Sequence, residues 1–132
     1  MMMLDTDIII ELLKGNKEAI EKVSSLSQSN IQLCTSAINV HEILTPANPP
    51  DKKTLNSILD ALSSLKILEL DFDSAKKSYE IYASLKISNA KNTDENHLRV
   101  LAASIAITKG IPLITRNTKG YSGIPNLKIE TW

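Results

Sequence analysis

Asp5 and Asp7 stand one residue apart where the apolar run "MMML" gives way to "DTDIIIELLKG". Carboxylates at such a junction can cap a helix, hold a cation or move a proton. Other chemically capable groups recur in comparable settings: Glu42 inside "TSAINVHEIL", Asp94 and Glu95 just ahead of "NHLRVLAASIAITKG", and Thr115 and Asn117 directly after "IPLI". Taken one at a time, each has a plain structural use, as an N-cap, a solvated helix acid, a favourable first-turn charge or a turn former.

Gathered at one place they would do something else. Two carboxylates about 4 Å apart repel by about 4 kcal/mol at an effective dielectric of 20, so a third joining them needs a proton or a cation. Magnesium suits such a cluster, because it takes oxygen ligands, keeps several waters and sits readily beside phosphate. Zinc does not, since Cys34, His41 and His97 are the only cysteine and histidines and a closed zinc site wants nitrogen and sulfur. A carboxylate-held metal of this kind activates water and steadies charge in phosphodiester cleavage.

The elements that must position these groups can be read from pattern. "MMML" is expected as a short strand, followed by a helix capped at Asp5 or Thr6 and stopped at Gly15. Residues 17–29 suit a second helix, "IQLCTS" a strand, and "SAINVHEILTP" a helix that Pro46 ends. From Asp51, Leu55, Ile58, Leu59, Leu62 and Leu65 recur at helical spacing and predict one buried face. "KILEL" is expected as a strand, Asp73 to Lys86 as a helix with Tyr79 and Tyr82 packed in the core or at an interface, and "SNAKNTD" as a loop. "ENHLRVLAASIAITKG" is expected as a helix with Leu98, Leu101, Ala102 and Ile105 inward, and "IPLIT" and "LKIETW" as strands, the last anchored by Trp132.

Helices alternate with strands throughout, which favours an α/β domain with a mainly parallel sheet, since parallel strands need crossover connections. In such sheets ligands bind outside the carboxyl ends of the strands. Asp5, Glu42, Asp94, Glu95 and Asn117 all fall near that edge, so acids far apart in sequence can meet there.

Composition sets the outer limits. The 132 residues, 42% of them hydrophobic, suit a single domain over 1–132. Fifteen basic against fifteen acidic residues give no net charge, so contact with a polyanion must come from a local patch. Arg116 and Lys119 follow the strand that should end beside the acids, and are the cations expected to meet a phosphate there; Arg99, one step off the apolar face, points to the same rim. Cys34 in "IQLCTS" reads as a small buried hydrophobe. With no leader-like start and no apolar run of about 18 residues, a cytoplasmic protein without a membrane span is expected.

"MLDTDIIIELLKG", "TSAINVHEIL" and "LAASIAITKGIPLITRNTKGYSGIPNLKIETW" resemble successive blocks of the PIN-domain ribonucleases, in particular the VapC-like toxins of toxin–antitoxin pairs. In the last block the Ala-Ala pair, the Thr-Arg-Asn turn, Tyr121, the Ile-Pro pair and Trp132 follow the family's order. The resemblance implies a three-layer α/β/α PIN-like domain, RNA cleavage dependent on Mg2+ or Mn2+, a homodimer, and a cognate antitoxin protein as inhibitor. Asp5 then matches the first family acid and Glu42 the second. Thr115 matches the hydroxyl residue after the fourth strand, and Asn117 the place where many members carry a fourth acid. The third acid departs from the pattern: counted back from Ala102 and Ala103, its slot falls on Leu98, with Arg99 beside it. Asp94, or Glu95, is expected to replace it, so that Asp5, Glu42 and Asp94 are the catalytic set and Glu95 a further metal ligand. Asp7, Thr115 and Asn117 would orient water or phosphate around them.

Two other readings are open. "LDTD" after an apolar strand also resembles phosphohydrolases of the haloacid dehalogenase type, but "RNTKGY" lacks the acids those enzymes need after a later strand. Leu98 and Asn117 leave room for a degraded PIN-like site that works only by binding RNA or protein.

Overall fold

A computed structural model describes the backbone of residues 1–87 and 94–132 and the side chains of 1–85 and 96–132. Five strands, β1 (Met2–Leu4), β2 (Leu33–Ser36), β3 (Lys66–Leu68), β4 (Leu113–Ile114) and β5 (Ile129–Glu130), form one sheet in the order β3-β2-β1-β4-β5. Every neighbouring pair is parallel. Among the described residues seven helices connect them: α1 (Thr6–Leu13), α2 (Lys17–Gln28), α3 (Ala37–Leu44), α4 (Lys52–Leu62), α5 (Phe72–Ile87), α6 (Asp94–Lys109) and α7 (Thr118–Tyr121).

Side chains alternate across a strand, so each inner strand feeds two cores. Met3, Cys34 and Leu113 point to one face, where they meet Ile81 of α5, Val100, Ala103, Ile105 and Ala106 of α6, and Tyr121 of α7. Leu4 and Ile114 point to the other, against Ile8 and Ile9 of α1, Ala19 and Leu26 of α2, Ile43 of α3 and Leu62 of α4. The architecture is therefore the expected α/β/α sandwich around a parallel sheet. Cys34 is fully buried, as expected, and burial pushes its thiol up to about 11.

Several local expectations need correction. Leu59 is 43% exposed and Tyr79 is 74% exposed, because α4 and α5 each press a narrower stripe onto the core than their apolar spacing suggests. Tyr82, by contrast, packs its ring against His97 of α6 at 4.8 Å between centroids. The short α7 was not foreseen. Asn117 caps it by accepting from the Gly120 N–H at 3.1 Å, and only glycine fits there, since a Cβ on residue 120 would fall 2.4 to 2.7 Å from the Asn117 side chain.

The strand order reverses between β1 and β4, both starting from the middle of the sheet. That switch point is where an open parallel sheet leaves a crevice beyond its carboxyl ends. Asp5 follows β1 and Thr115 follows β4, so both stand at its mouth.

Candidate active site

Asp5 is the N-cap of α1: its backbone is extended and its Oδ1 accepts from the Thr6 N–H at 2.8 Å. Being 5% exposed, the carboxylate must satisfy its oxygens within the protein. Oδ1 also accepts from Asn39 Nδ2 and from the Tyr121 hydroxyl, each at 3.0 Å, and Oδ2 accepts from Thr115 Oγ1 at 2.8 Å. Four elements thus converge on one side chain.

Asn39 is the hub that ties α3 to α1. Ser36 caps α3 through the Asn39 N–H and donates its hydroxyl to Asn39 Oδ1 at 2.5 Å. This orients the amide so that Nδ2 faces both Asp5 Oδ1 and Thr6 Oγ1 at 3.0 Å. Thr6 Oγ1 in turn donates to Glu42 Oε1 at 3.0 Å. One turn beyond Asn39 on the same helical face, Glu42 is thereby held beside Asp5.

Asp7 closes the other side. Its Oδ1 accepts from the Ile8 N–H at 2.6 Å, and its Oδ2 accepts from the Arg116 N–H at 2.8 Å and lies 3.1 Å from Thr115 Oγ1. The Thr115 hydroxyl, which also accepts from the Asn117 N–H at 3.0 Å, carries one proton to share between the two aspartates. Asp5, Thr6, Asp7, Ile10, Glu42, Arg99, Asn117 and Tyr121 together line a cleft of about 280 Å3.

The PIN domain family model matches residues 2–124. The chain belongs to the PIN domain family. This PIN domain is 31% identical over 133 residues to ribonuclease VapC2 of Rickettsia felis, covering 98% of the chain and 96% of the relative. It is 27% identical over 132 residues to the tRNA(fMet)-specific endonuclease VapC of Salmonella typhimurium, with the same coverage. Among solved structures, VapBC2 from Rickettsia felis bound to a DNA fragment from its promoter superposes with a TM-score of 0.85 at 26% identity, over 98% of this chain and 97% of that one. DNA-bound VapBC from Salmonella typhimurium gives 0.82 at 25% identity, over 100% and 99%.

In this PIN domain, Asp5, Asp7, Glu42, Thr115 and Asn117 all reach one place. Asp94 and Glu95 open α6, but their side chains lie outside the described residues. Leu98 does not line the cleft; Arg99 does. The slot counted from Ala102 and Ala103 thus holds no acid, and the described α6 side chain that lines the cleft is the cation Arg99. Arg116 is committed elsewhere. Its guanidinium stacks on the Trp132 ring at 3.6 Å from the centroid, donates from Nε to the Trp132 carbonyl at 3.0 Å and pairs with Glu18. Lys119 is exposed and borders a neighbouring cavity.

Asn39, Thr6 and Tyr121 were not singled out from sequence as site residues. A polar residue three positions before Glu42 in an otherwise apolar stretch is a usable signal for Asn39; nothing local distinguishes Thr6 from any first-turn threonine.

The electrostatics follow from burial. Asp5 is raised above the ordinary carboxylate range chiefly by loss of water, and further by Asp7, while its hydrogen bonds from Thr115, Thr6 and Tyr121 oppose the rise. Glu42 is raised by burial and by Asp5, against the pull of Thr6 and of the Arg99 guanidinium. Tyr121 is raised by burial beside Asp5, so its hydroxyl stays protonated and donates.

A hard divalent ion fits this donor set. Asp5 and Glu42 offer oxygen only, and burial raises both, so a cation bound between them would offset the cost of keeping the two charged. Among the described residues no three Asp, Glu, His or Cys gather around one point, so the site suits an ion held by two carboxylates and water rather than a closed cage. Among the described residues no histidine or cysteine lines the cleft, which leaves zinc without its usual donors.

Proposed function

We propose that this PIN domain, with residues 1–132 acting as one unit, is a cytoplasmic endoribonuclease that hydrolyses RNA phosphodiester bonds. We further infer that it is the toxin of a toxin–antitoxin pair. Its kinship with the VapC nucleases supports the reaction class, and the VapBC complexes of the same fold support an antitoxin partner. No described helix is long and apolar enough to cross a membrane. A homodimer is part of the same reading.

One observation carries the mechanism: Asp5 and Glu42, from α1 and α3, line one cleft and are coupled through Thr6 Oγ1. Asp5 and Glu42 would hold magnesium or manganese, with Asp94 or Glu95 as a further ligand. When bound, such an ion supplies a positive centre that eases charge building on the phosphate and the deprotonation of water. The chain does the rest. Asn39, Tyr121 and Thr115 fix the Asp5 carboxylate in one orientation, so no rearrangement is needed as charge develops. Thr6 does the same for Glu42. Asn117 borders the space that the phosphate enters, Thr115 beneath it accepts from the Asn117 N–H, and Asp7 keeps the turn after β4 in place by accepting from the Arg116 N–H.

The test is purified protein on total RNA with Mg2+, against EDTA and against Asp5→Asn. Cleavage that persists in EDTA or in the variant rejects the mechanism. The second reading, a binding-only domain, is favoured by Arg99 facing the cleft. It predicts no metal-dependent cleavage across a broad RNA panel.

A further inference from the structure

Arg99 borders two cavities. One is the carboxylate cleft; the other, of about 410 Å3, has Arg99, Asn96 and Lys119 as its polar walls and Leu85, Val100 and Ile124 as its apolar floor. We propose that the second cavity receives the nucleotide next to the cleaved bond, and that Arg99 holds the phosphate joining the two.

The proposal rests on the ribonuclease reading and adds a path for the substrate. A phosphate approaching Asp5 and Glu42 meets negative charge, and a guanidinium on the same rim offsets it. A guanidinium also binds phosphate through two parallel N–H donors, which fixes orientation as well as position. Arg99 is partly built for this: Nη1 donates to Asn96 Oδ1 at 2.9 Å, one turn earlier on α6, so one edge of the fork is anchored. Beyond it, an apolar floor with an amide and an ammonium at the walls matches a base and ribose with a phosphate on the far side. Two such compartments meeting at one cation suit a polymer, with a nucleoside on each side of the phosphate, better than a free anion. Single-stranded RNA is the chemistry that fits, since its bases can be splayed into a pocket.

The experiment measures binding apart from catalysis. A fluorescently labelled single-stranded RNA hexamer is titrated, in EDTA and over a series of KCl concentrations, with full-length Asp5→Asn protein and with the same protein carrying Arg99→Gln, Arg99→Lys, Lys119→Gln or Arg116→Gln. Circular dichroism checks that each is folded. Arg99→Gln is expected to weaken binding at least tenfold and to make the logarithmic salt dependence shallower by about 0.7, one phosphate contact on a single strand. Arg99→Lys should keep the salt slope yet lose affinity, because it retains the charge without the fork. Lys119→Gln should weaken binding by a smaller factor, and Arg116→Gln by less than twofold. Wild-type protein that cleaves RNA while Arg99→Gln leaves affinity and slope unchanged overturns this proposal and spares the ribonuclease reading. Protein that neither cleaves nor binds RNA overturns both.

Discussion

Thr115 donates its hydroxyl to Asp5 Oδ2 at 2.8 Å across 110 residues of chain. The contact joins the end of β4 to the end of β1 at the point where the strand order reverses, and it completes the set of donors around the buried carboxylate. Much of what the molecule does can be tested by changing one atom of that arrangement.

Asp5→Asn should abolish RNA cleavage, by at least about a hundredfold, without unfolding the protein. The new amide oxygen can keep the bonds from Thr6, Asn39 and Tyr121. Its Nδ2 can donate to Thr115 Oγ1, whose proton then turns to Asp7 Oδ2, 3.1 Å away. Thermal unfolding in EDTA at neutral pH should show a midpoint no lower than wild type; a large drop would show that the charge is needed for folding.

Thr115→Val tests the same hub from the other side. The shape is kept, but Asp5 Oδ2 and the Asn117 N–H lose a partner in a residue that is fully buried. The expected loss is about 1–3 kcal/mol in chemical denaturation. A change within experimental scatter would mean that water replaces the hydroxyl.

Acidity should affect the metal-free protein in a particular direction. Asp5 and Glu42 are raised in the fold, so between the ordinary carboxylate range and their raised values the native state holds more protons than the unfolded chain. Stability from these two groups is therefore fully present at low pH and is lost as pH rises through their folded values. Other carboxyls run the opposite way: Asp71 is lowered to about 2 by bonds from the Ser74 N–H and hydroxyl. The difference between wild type and an Asp5→Asn, Glu42→Gln double variant isolates the effect. In EDTA the variant should gain stability over wild type as pH rises from about 4 to 7; a constant difference would mean that neither group is shifted.

Arg116→Ala should act on the fold rather than on RNA. Its guanidinium is engaged with Trp132 and Glu18, and a stacked cation at a partly exposed site is worth about 0.5–1 kcal/mol. Denaturation should show a loss of that order, with RNA affinity changed by less than twofold. A tenfold loss of affinity would return Arg116 to the list of phosphate contacts.

The legible part of this protein was the part written in local chemistry. Asp5 caps its helix because a short acceptor suits that position, and "IPLIT" reads as a strand between a glycine-ended helix and a polar turn. The α/β pattern put Glu42 and Asp5 at one sheet edge, but the bridge between them was not legible, since it runs through Thr6 and Asn39, ordinary residues until α1 and α3 are brought together. Arg99 was legible as a rim residue, because neighbouring positions on a helix differ by about 100° in direction and one step from Leu98 turns a side chain away from the core. The strand order itself depends on which crossover passes over which face, and no single segment encodes that. Asp94 and Glu95 remain expectations, their side chains lying outside the described residues.

The central position of β1 has a consequence in time. On the ribosome, Asp5 is made 110 residues before Thr115, and translation at about 5–20 residues per second leaves it without that partner for roughly 5 to 20 s. Until β4 emerges and slots in beside β1, Asp5 lacks the donors that Thr115 and Tyr121 supply. The pocket around Asp5 is thus assembled late, by residues made long after the carboxylate that they hold.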